Sequence, residues 1–250
     1  MIKNTEPKSS RIVVLGGAGG IGRALVDHLV AAGNDVVVLD LATSLERHPP
    51  VVTSMSIDIL SERATEKAFA DLLAQGGKID GFVNLAGYNS HLIPLRETAA
   101  DYFDDIIAGN LRGAFIATKF CLPLMNEGSS MVMVSSGLAS NVRPGYGAYS
   151  ASKAAVIAMT KTFALENAPS VRVNAVAPGL VDTAFLRGGT GRSAENAQSI
   201  VSLDAYRAAT PMKRLAEPKD IVGPIAFLLS DASAFMTGQV LWVNGGGFMP

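Results

Sequence analysis

The sequence predicts an α/β fold in a single domain spanning residues 1–250: a doubly wound, mainly parallel sheet with helices on both faces. Three observations lead there. Short runs rich in Val and Ile alternate with stretches of helical periodicity, the pattern of βαβ units joined by right-handed crossovers. A glycine cluster follows the first of these runs directly. No repeat, low-complexity tract or linker divides the chain, and open α/β sheets of 250 residues commonly form one unit. The strands are expected at residues 11–15, 36–39, 51–59, 79–85, 131–134, 171–176 and 240–243. The first helix is expected over 21–32, ending at Gly33 as helices often end at glycine, and a later one over 149–167.

Hydrophobic residues make up 48% of the chain and aromatic ones 6%, enough for a large aliphatic core. The formal net charge is -1 and no Lys/Arg run occurs, which argues against a nucleic-acid partner and for small molecules. Cys121 is the only cysteine, so an intrachain disulfide and a cysteine-based metal site are excluded, and no metal is expected. Residues 1–10 are polar and read as neither signal peptide nor anchor. No apolar run is long enough to span a bilayer. The expected setting is cytoplasmic, with no membrane partner.

Gly16, Gly20 and Gly22, with Ile21 among them, lie between the first strand and the first helix. There a backbone can approach a pyrophosphate closely, and the helix N-terminus can meet its charge. A tight turn with close helix packing would use the same glycines. Asp40 decides between the two: it ends the second strand about twenty residues later, where a carboxylate can accept hydrogen bonds from the adenosine ribose. It also selects the dinucleotide. A 2′-phosphate near 4 Å from this carboxylate would be repelled by on the order of 4 kcal/mol at an effective dielectric of 20. Leu41 follows and Gly19 precedes the second glycine, so no cation offsets the repulsion, and NAD is the expected cofactor. Arg47 and His48 read as solvated loop residues.

Tyr149 and Lys153 are four apart in a helical stretch and share one face. A phenol with an ordinary pKa of about 10 carries protons poorly at neutral pH, and an adjacent ammonium favours its ionised form, so the pair is a candidate acid/base unit. Chance produces such spacings too, so context must decide.

That context is the set LGGAGGIG from Leu15, NLAG from Asn84, NLRG from Asn110, VSS ending at Ser136, YSASK from Tyr149 and NAVAPGLVDT from Asn174. In order and spacing it resembles the short-chain dehydrogenase/reductase family, compact subtype, from about Arg11 to Gly246, including PMKRLAEPKDI from Pro211 and TGQVLWVNGG from Thr237. The resemblance implies a Rossmann-type fold and hydride transfer between a nicotinamide cofactor and a secondary alcohol or its ketone. It implies that Tyr149 is the acid/base, that Lys153 lowers its pKa and holds the nicotinamide ribose, that Ser136 orients the substrate oxygen, and that Asn110 positions a relay water. It further implies adenine contacts at Asp58 and Ile59, an adenosine wall at Asn84, Ala86 and Gly87, and a carboxamide end at Pro178, Gly179, Val181 and Thr183. It implies a homotetramer as well, for which apolar residues such as Phe115, Phe120, Met159 and Phe163 are candidate interface, or alternatively core.

Three positions depart from the family pattern. Leu15 replaces a Thr before the first glycine, Leu85 replaces the second Asn of NNAG, and Asn244 replaces a frequent Asp. Altered bracing is expected with an intact cofactor site. A catalytically silent NAD-binding or regulatory protein of the same fold is the alternative, since fold does not guarantee turnover. An epimerase or dehydratase would ordinarily need a longer C-terminal domain.

Residues 184–210 follow the carboxamide strand and are expected to form a substrate lid: a hinge at Gly188, Gly189, Thr190 and Gly191, then a helix over 194–209 whose apolar face is Ile200, Val201, Leu203 and Tyr206. A permanently ordered insertion is the alternative. Tyr88, Leu138 and Tyr146 are expected beneath it, an apolar lining that suits a substrate without high charge.

Overall fold

The computed structural model describes residues 9–187, 195, 198–199 and 201–249. One parallel sheet of order β3-β2-β1-β4-β5-β6-β7 takes every strand among them. The strands are β1 (Arg11–Leu15), β2 (Asp35–Asp40), β3 (Thr53–Ser56), β4 (Ile79–Asn84), β5 (Met125–Val134), β6 (Val171–Pro178) and β7 (Val240–Val243). Between them run α1 (Gly20–Ala31), α2 (Ala42–Arg47), α3 (Glu62–Gly76), α4 (Ala100–Ile107), α5 (Gly113–Cys121), α6 (Gly147–Asn167), α7 (Leu203–Ala209) and α8 (Pro218–Leu229).

Strands with near-continuous apolar character bury both faces, and the alternation along each strand divides the core in two. Val13, Leu15, Val37, Leu39, Phe82, Met131, Met133 and Val173 face one side with Phe69 and Leu72 of α3, Ala117 of α5 and Val156 of α6. Ile12, Val14, Val36, Val38, Val83, Val132 and Val176 face the other, with Leu25 and Leu29 of α1 and Ile221 and Ile225 of α8. The strand order reverses between β1 and β4, and at such a switch point the carboxyl ends of open sheets leave a ligand crevice.

Three expected elements come out differently. β3 pairs only over Thr53–Ser56 rather than 51–59, because it is an edge strand held on β2 alone. Past Asp40 the chain leaves the sheet, which puts Asp58 and Ile59 at the crevice. β5 starts at Met125, six residues before the apolar run at 131, because backbone pairing with β4 and β6 does not require apolar side chains. The helix expected over 194–209 is described only as α7, Leu203–Ala209, with the Ser202 hydroxyl accepting from Ala205 N at 3.3 Å as its cap. The glycine hinge at 188–191 and Ile200 lie outside the described residues.

Phe82 is fully buried at the sheet centre and meets Phe69 edge-on, with ring centroids 6.0 Å apart. Replacing it by Ala removes that contact and leaves a void that close-packed neighbours fill only in part. Phe82→Ala is therefore expected to cost about 3–5 kcal/mol in urea unfolding, and a loss below about 1 kcal/mol would show that the sheet centre is not close-packed.

Candidate active site

The crevice at the carboxyl ends of the strands is a continuous cleft of about 580 Å³. Most of the sequence-predicted residues line it: Gly16, Gly20, Ile21, Gly22, Asp40, Leu41, Asp58, Ile59, Ala86, Gly87, Ser136, Tyr149, Lys153, Pro178, Gly179, Val181 and Thr183. Asn84 and Asn110 do not. Asn84 is buried, and its side-chain oxygen accepts from Ala86 N at 3.1 Å, so it braces the 84–87 turn from behind rather than facing the cleft. Its Nδ2 is buried without a partner among the described residues.

At one end of the cleft, β1 enters the glycine turn at Gly16, whose φ is +84°. A side chain at Gly22 would strike the carbonyl of Gly16 and the Cα of Gly17, so glycine there lets α1 start directly behind the turn. Asp40 ties this turn to β2. Its carboxylate accepts from Ala18 N at 2.9 Å and Leu41 N at 2.8 Å, and also bonds Ser44. Burial pushes the Asp40 carboxyl up, and these hydrogen bonds partly offset it. The cations nearby are engaged elsewhere. Arg23 donates to Ala18 O at 2.8 Å, and His48 Nε2 lies 2.9 Å from Glu195 with Arg47 beside it at 3.4 Å. The bonds from His48 and Arg47 to Glu195 replace the solvated loop expected at 47–48.

At the other end, α6 is docked on the end of β5 by two hydrogen bonds: Ser135 Oγ donates to Lys153 O at 2.8 Å, and Lys153 Nζ donates to Val134 O at 3.0 Å. That places Lys153 Nζ 5.7 Å from the centroid of the Tyr149 ring, one helical turn away. The Tyr149 hydroxyl shares a hydrogen bond with Ser136, whose Oγ also accepts from Leu138 N at 3.1 Å. Phe185 covers the Tyr149 ring at 5.8 Å between centroids. Asn110 sits in a π-turn, residues Ala108–Arg112, between α4 and α5. Its amide donates to Tyr88 O at 2.8 Å and Ile106 O at 3.0 Å and accepts from Tyr88 N at 3.0 Å. A Cβ placed on Gly87 would lie 2.5 Å from Asn110 Oδ1 and 3.1 Å from Lys153 Nζ, so Gly87 is the spacer that brings the two together.

The electrostatics depart from the expectation that the ammonium lowers the phenol. Burial pushes the Tyr149 hydroxyl well above its ordinary value, against a partial lowering by the Ser136 bond. Burial also pushes Lys153 down, to about 8. Both groups are removed from water, and the lysine directs its proton at a carbonyl rather than at the phenol, so desolvation outweighs their mutual attraction.

Sequence reasoning missed Ser135, Val134 and Phe185, and read Tyr206 only as part of an apolar lid face. The Tyr206 hydroxyl accepts from Leu180 N at 2.8 Å and pins α7 over the carboxamide end, where Val201 and Ala205 also line the cleft. Tyr88, Leu138 and Tyr146 line it as expected. Leu15 and Leu85 pack into opposite core faces, and Asn244 braces the last turn, donating to Phe248 O at 2.8 Å and accepting from Gly246 N at 3.0 Å. No group of three or more potential metal-ligating side chains occurs among the described residues.

A doubly wound sheet, a glycine turn and a Ser-Tyr-Lys cluster at one crevice define the class of nicotinamide-dependent oxidoreductases acting on CH-OH or ketone groups. The family model described as Enoyl-(Acyl carrier protein) reductase matches residues 16–247, and the chain belongs to the short-chain dehydrogenase/reductase family. It is 32% identical to 3-oxoacyl-acyl-carrier-protein reductase of Thermotoga maritima, over 94% of this chain and 96% of that protein. It is 28% identical to levodione reductase of Leifsonia aquatica, over 94% and 92%. Among solved structures it resembles a glucose/ribitol dehydrogenase-type short-chain dehydrogenase/reductase from Brucella melitensis (TM-score 0.86, 33% identity, 96% and 97% covered). It also resembles a 3-ketoacyl-acyl-carrier-protein reductase of that organism complexed with NADH (TM-score 0.84, 26% identity, 96% and 98% covered).

A lysine whose folded value is about 8 and whose unfolded value is about 10.4 binds fewer protons in the folded state between those pH values, so its contribution to stability rises with pH there. The buried Cys121 thiol and Tyr149 phenol act in the opposite sense, and a variant that keeps both cancels them. The unfolding free energy of the wild type minus that of Lys153→Met is expected to rise by up to about 3 kcal/mol from pH 8 to 10 in urea titrations. A flat difference would mean that Lys153 titrates at its ordinary value.

Proposed function

We propose that the chain is an NAD-dependent dehydrogenase/reductase of a secondary alcohol or ketone, working through Asn110, Ser136, Tyr149 and Lys153. The observation that carries this reading is the Tyr149 hydroxyl bonded to Ser136 with the Lys153 ammonium one turn behind it, on the wall of a cleft whose far end is a glycine turn. Relatives named as reductases of 3-oxoacyl-acyl-carrier-protein and of levodione support an oxo group as the reacting one.

A nicotinamide dinucleotide bound in the cleft would supply or accept the hydride. Ser136 holds the substrate oxygen. Tyr149 gives that oxygen a proton in reduction and takes it back in oxidation. Its raised pKa keeps the phenol neutral at neutral pH, which suits donation, and the charge of Lys153 favours the reverse step. Asn110 serves the relay water from behind the cleft wall: its amide, held by Tyr88 and Ile106, fixes the turn that stands across Gly87 from Lys153. Asp40 and Leu41 hold the adenosine ribose, Asp58 and Ile59 the adenine. Asn84 acts through the turn it braces, Ala86 and Gly87 wall the adenosine side, and Pro178, Gly179, Val181 and Thr183 hold the carboxamide. One domain over residues 1–250, a lid at 184–210, a homotetramer, a small-molecule partner without nucleic acid or membrane, and a cytoplasmic setting complete the reading. Among the described residues no helix is long and apolar enough to cross a membrane. Phe115 is exposed and available to an interface, whereas Phe120, Met159 and Phe163 pack against the core.

Tyr149→Phe keeps the ring and removes only the transferable proton. A fall in kcat of at least about 100-fold is expected, with NADH affinity within a few-fold of wild type by fluorescence titration. Residual activity within tenfold of wild type would reject Tyr149 as the acid/base, whereas a wild type without turnover on any alcohol or ketone would favour the catalytically silent reading. Asp40→Ala should narrow the preference for NAD over NADP in kcat/KM by tenfold or more, because it removes the like-charge repulsion of a 2′-phosphate. A wild-type enzyme faster with NADP would overturn the role given to Asp40.

A further inference from the structure

The charges lining the cleft are unevenly placed. Among the described lining residues the acids are Asp40 and Asp58, both beside β2 and β3 at the adenosine end. The cations are Lys153 and Arg143, both at the end where Tyr149 stands. Lys153 is buried and committed to Val134 O. Arg143 is different: it is exposed, it lines the cleft, and its guanidinium makes no hydrogen bond or ion pair with any described residue. Several other described arginines are occupied. Arg172 donates to Leu228 O, Ser233 O and Ser230 O, and Arg214 pairs with both oxygens of Asp220.

The backbone at Arg143 is held. It lies in the loop joining Ser136 to Tyr149, where its carbonyl accepts from Tyr146 N at 3.3 Å and the carbonyl of Gly145 accepts from Ile93 N at 3.1 Å. The loop thus carries a free planar cation between the two residues given the substrate oxygen. The same cleft is lined by the apolar and aromatic side chains of Leu138, Tyr146, Phe185, Val201 and Phe248, and by Asn141, two residues before Arg143 in the same loop.

We propose that Arg143 is a specificity-determining residue that binds a carboxylate on the substrate, so the substrate class is an oxo or hydroxy acid: an apolar body with the reacting carbon at Tyr149 and the carboxylate at the cleft mouth. This rests on the function proposed above and alters the expectation of a substrate without high charge. A guanidinium presents paired donors that match a carboxylate's two oxygens, and in a cleft lined largely by apolar side chains such a pair is less screened than in open water. The absence of an acid at this end of the described lining leaves nothing there to compete for the guanidinium or to repel the ligand's charge.

The test is a panel of oxocyclohexanecarboxylates and straight-chain oxoalkanoates, each beside its methyl ester, reduced by the full-length enzyme with NADH and followed by NADH absorbance. The wild type is expected to favour at least one acid over its ester by tenfold or more in kcat/KM, mainly through KM. Arg143→Gln should erase that preference, leave the ester within about threefold, and leave NADH affinity and thermal stability unchanged. Arg143→Lys should restore part of the preference, since it returns the charge without the paired donors. Added salt should weaken the wild-type preference, as it does for a partly exposed ion pair. A wild type that turns over neutral ketones or esters and prefers no acid would overturn this inference alone. An Arg143→Gln variant that lowers acid and ester equally would reduce Arg143 to a structural loop residue. Absence of turnover with every carbonyl compound of the panel would bring down the inference together with the proposed function.

Discussion

Burial of the Lys153 ammonium at the junction of α6 and β5 is the constraint around which the site is organised. Taking an ammonium out of water costs several kcal/mol, and the cost is bearable only where a strong acceptor waits. Here it is Val134 O at 3.0 Å, the last carbonyl of β5. A second bond, from Ser135 Oγ to Lys153 O, ties the helix backbone to the same strand end. With α6 pinned at that turn, Tyr149 has one place to be: four residues back on the same face, against Ser136, which caps the short 3-10 turn just past β5. The three side chains are thus positioned by a strand terminus and a long helix, both rigid, rather than by a mobile loop.

The depressed basicity of Lys153 and the raised value of Tyr149 follow from that burial. Their closeness alone would predict a lowered phenol, whereas the geometry spends the lysine's proton on a carbonyl. A phenol held neutral beside a cation of reduced proton affinity is a pair whose balance is sensitive to any charge brought into the cleft. The opposite end repeats this economy of partners with the sign reversed. Asp40 is partly desolvated and is kept in place by the amides of Ala18 and Leu41, so the carboxylate clamps the glycine turn and faces the cleft at once.

Much of this was legible in the chain. The alternation of strands with helices, the glycines at 16, 20 and 22, Asp40 at a strand tip and the Tyr149–Lys153 spacing are local signals, because strand and helix periodicities dictate which side chains share a face and where a turn must fall. Those residues meet at the cleft as read. Where periodicity is weak, the reading slipped: β5 begins in the polar stretch from Met125, and the edge strand β3 is only Thr53–Ser56, since ladder pairing is decided by the neighbouring strand.

Only the tertiary structure decided which partners distant residues find. Asn84 and Asn110 sit outside the cleft, Asn84 accepting from Ala86 N within its own turn and Asn110 bonding the backbone of Tyr88, 22 residues away. Ser135, Phe185 and Tyr206 enter the site through contacts across 18, 36 and 26 residues of chain, which no local pattern encodes. Arg143 looks in the sequence like any loop cation, and its freedom from carboxylates is a property of the folded surface. Sequence by itself determined the fold and which candidate groups would share one crevice, since strand and helix periodicity and the order of the motifs along the chain carry both. Burial, proton affinity and the charge asymmetry between the two ends of the cleft were settled by packing, because desolvation depends on everything that surrounds a group rather than on its neighbours in the chain.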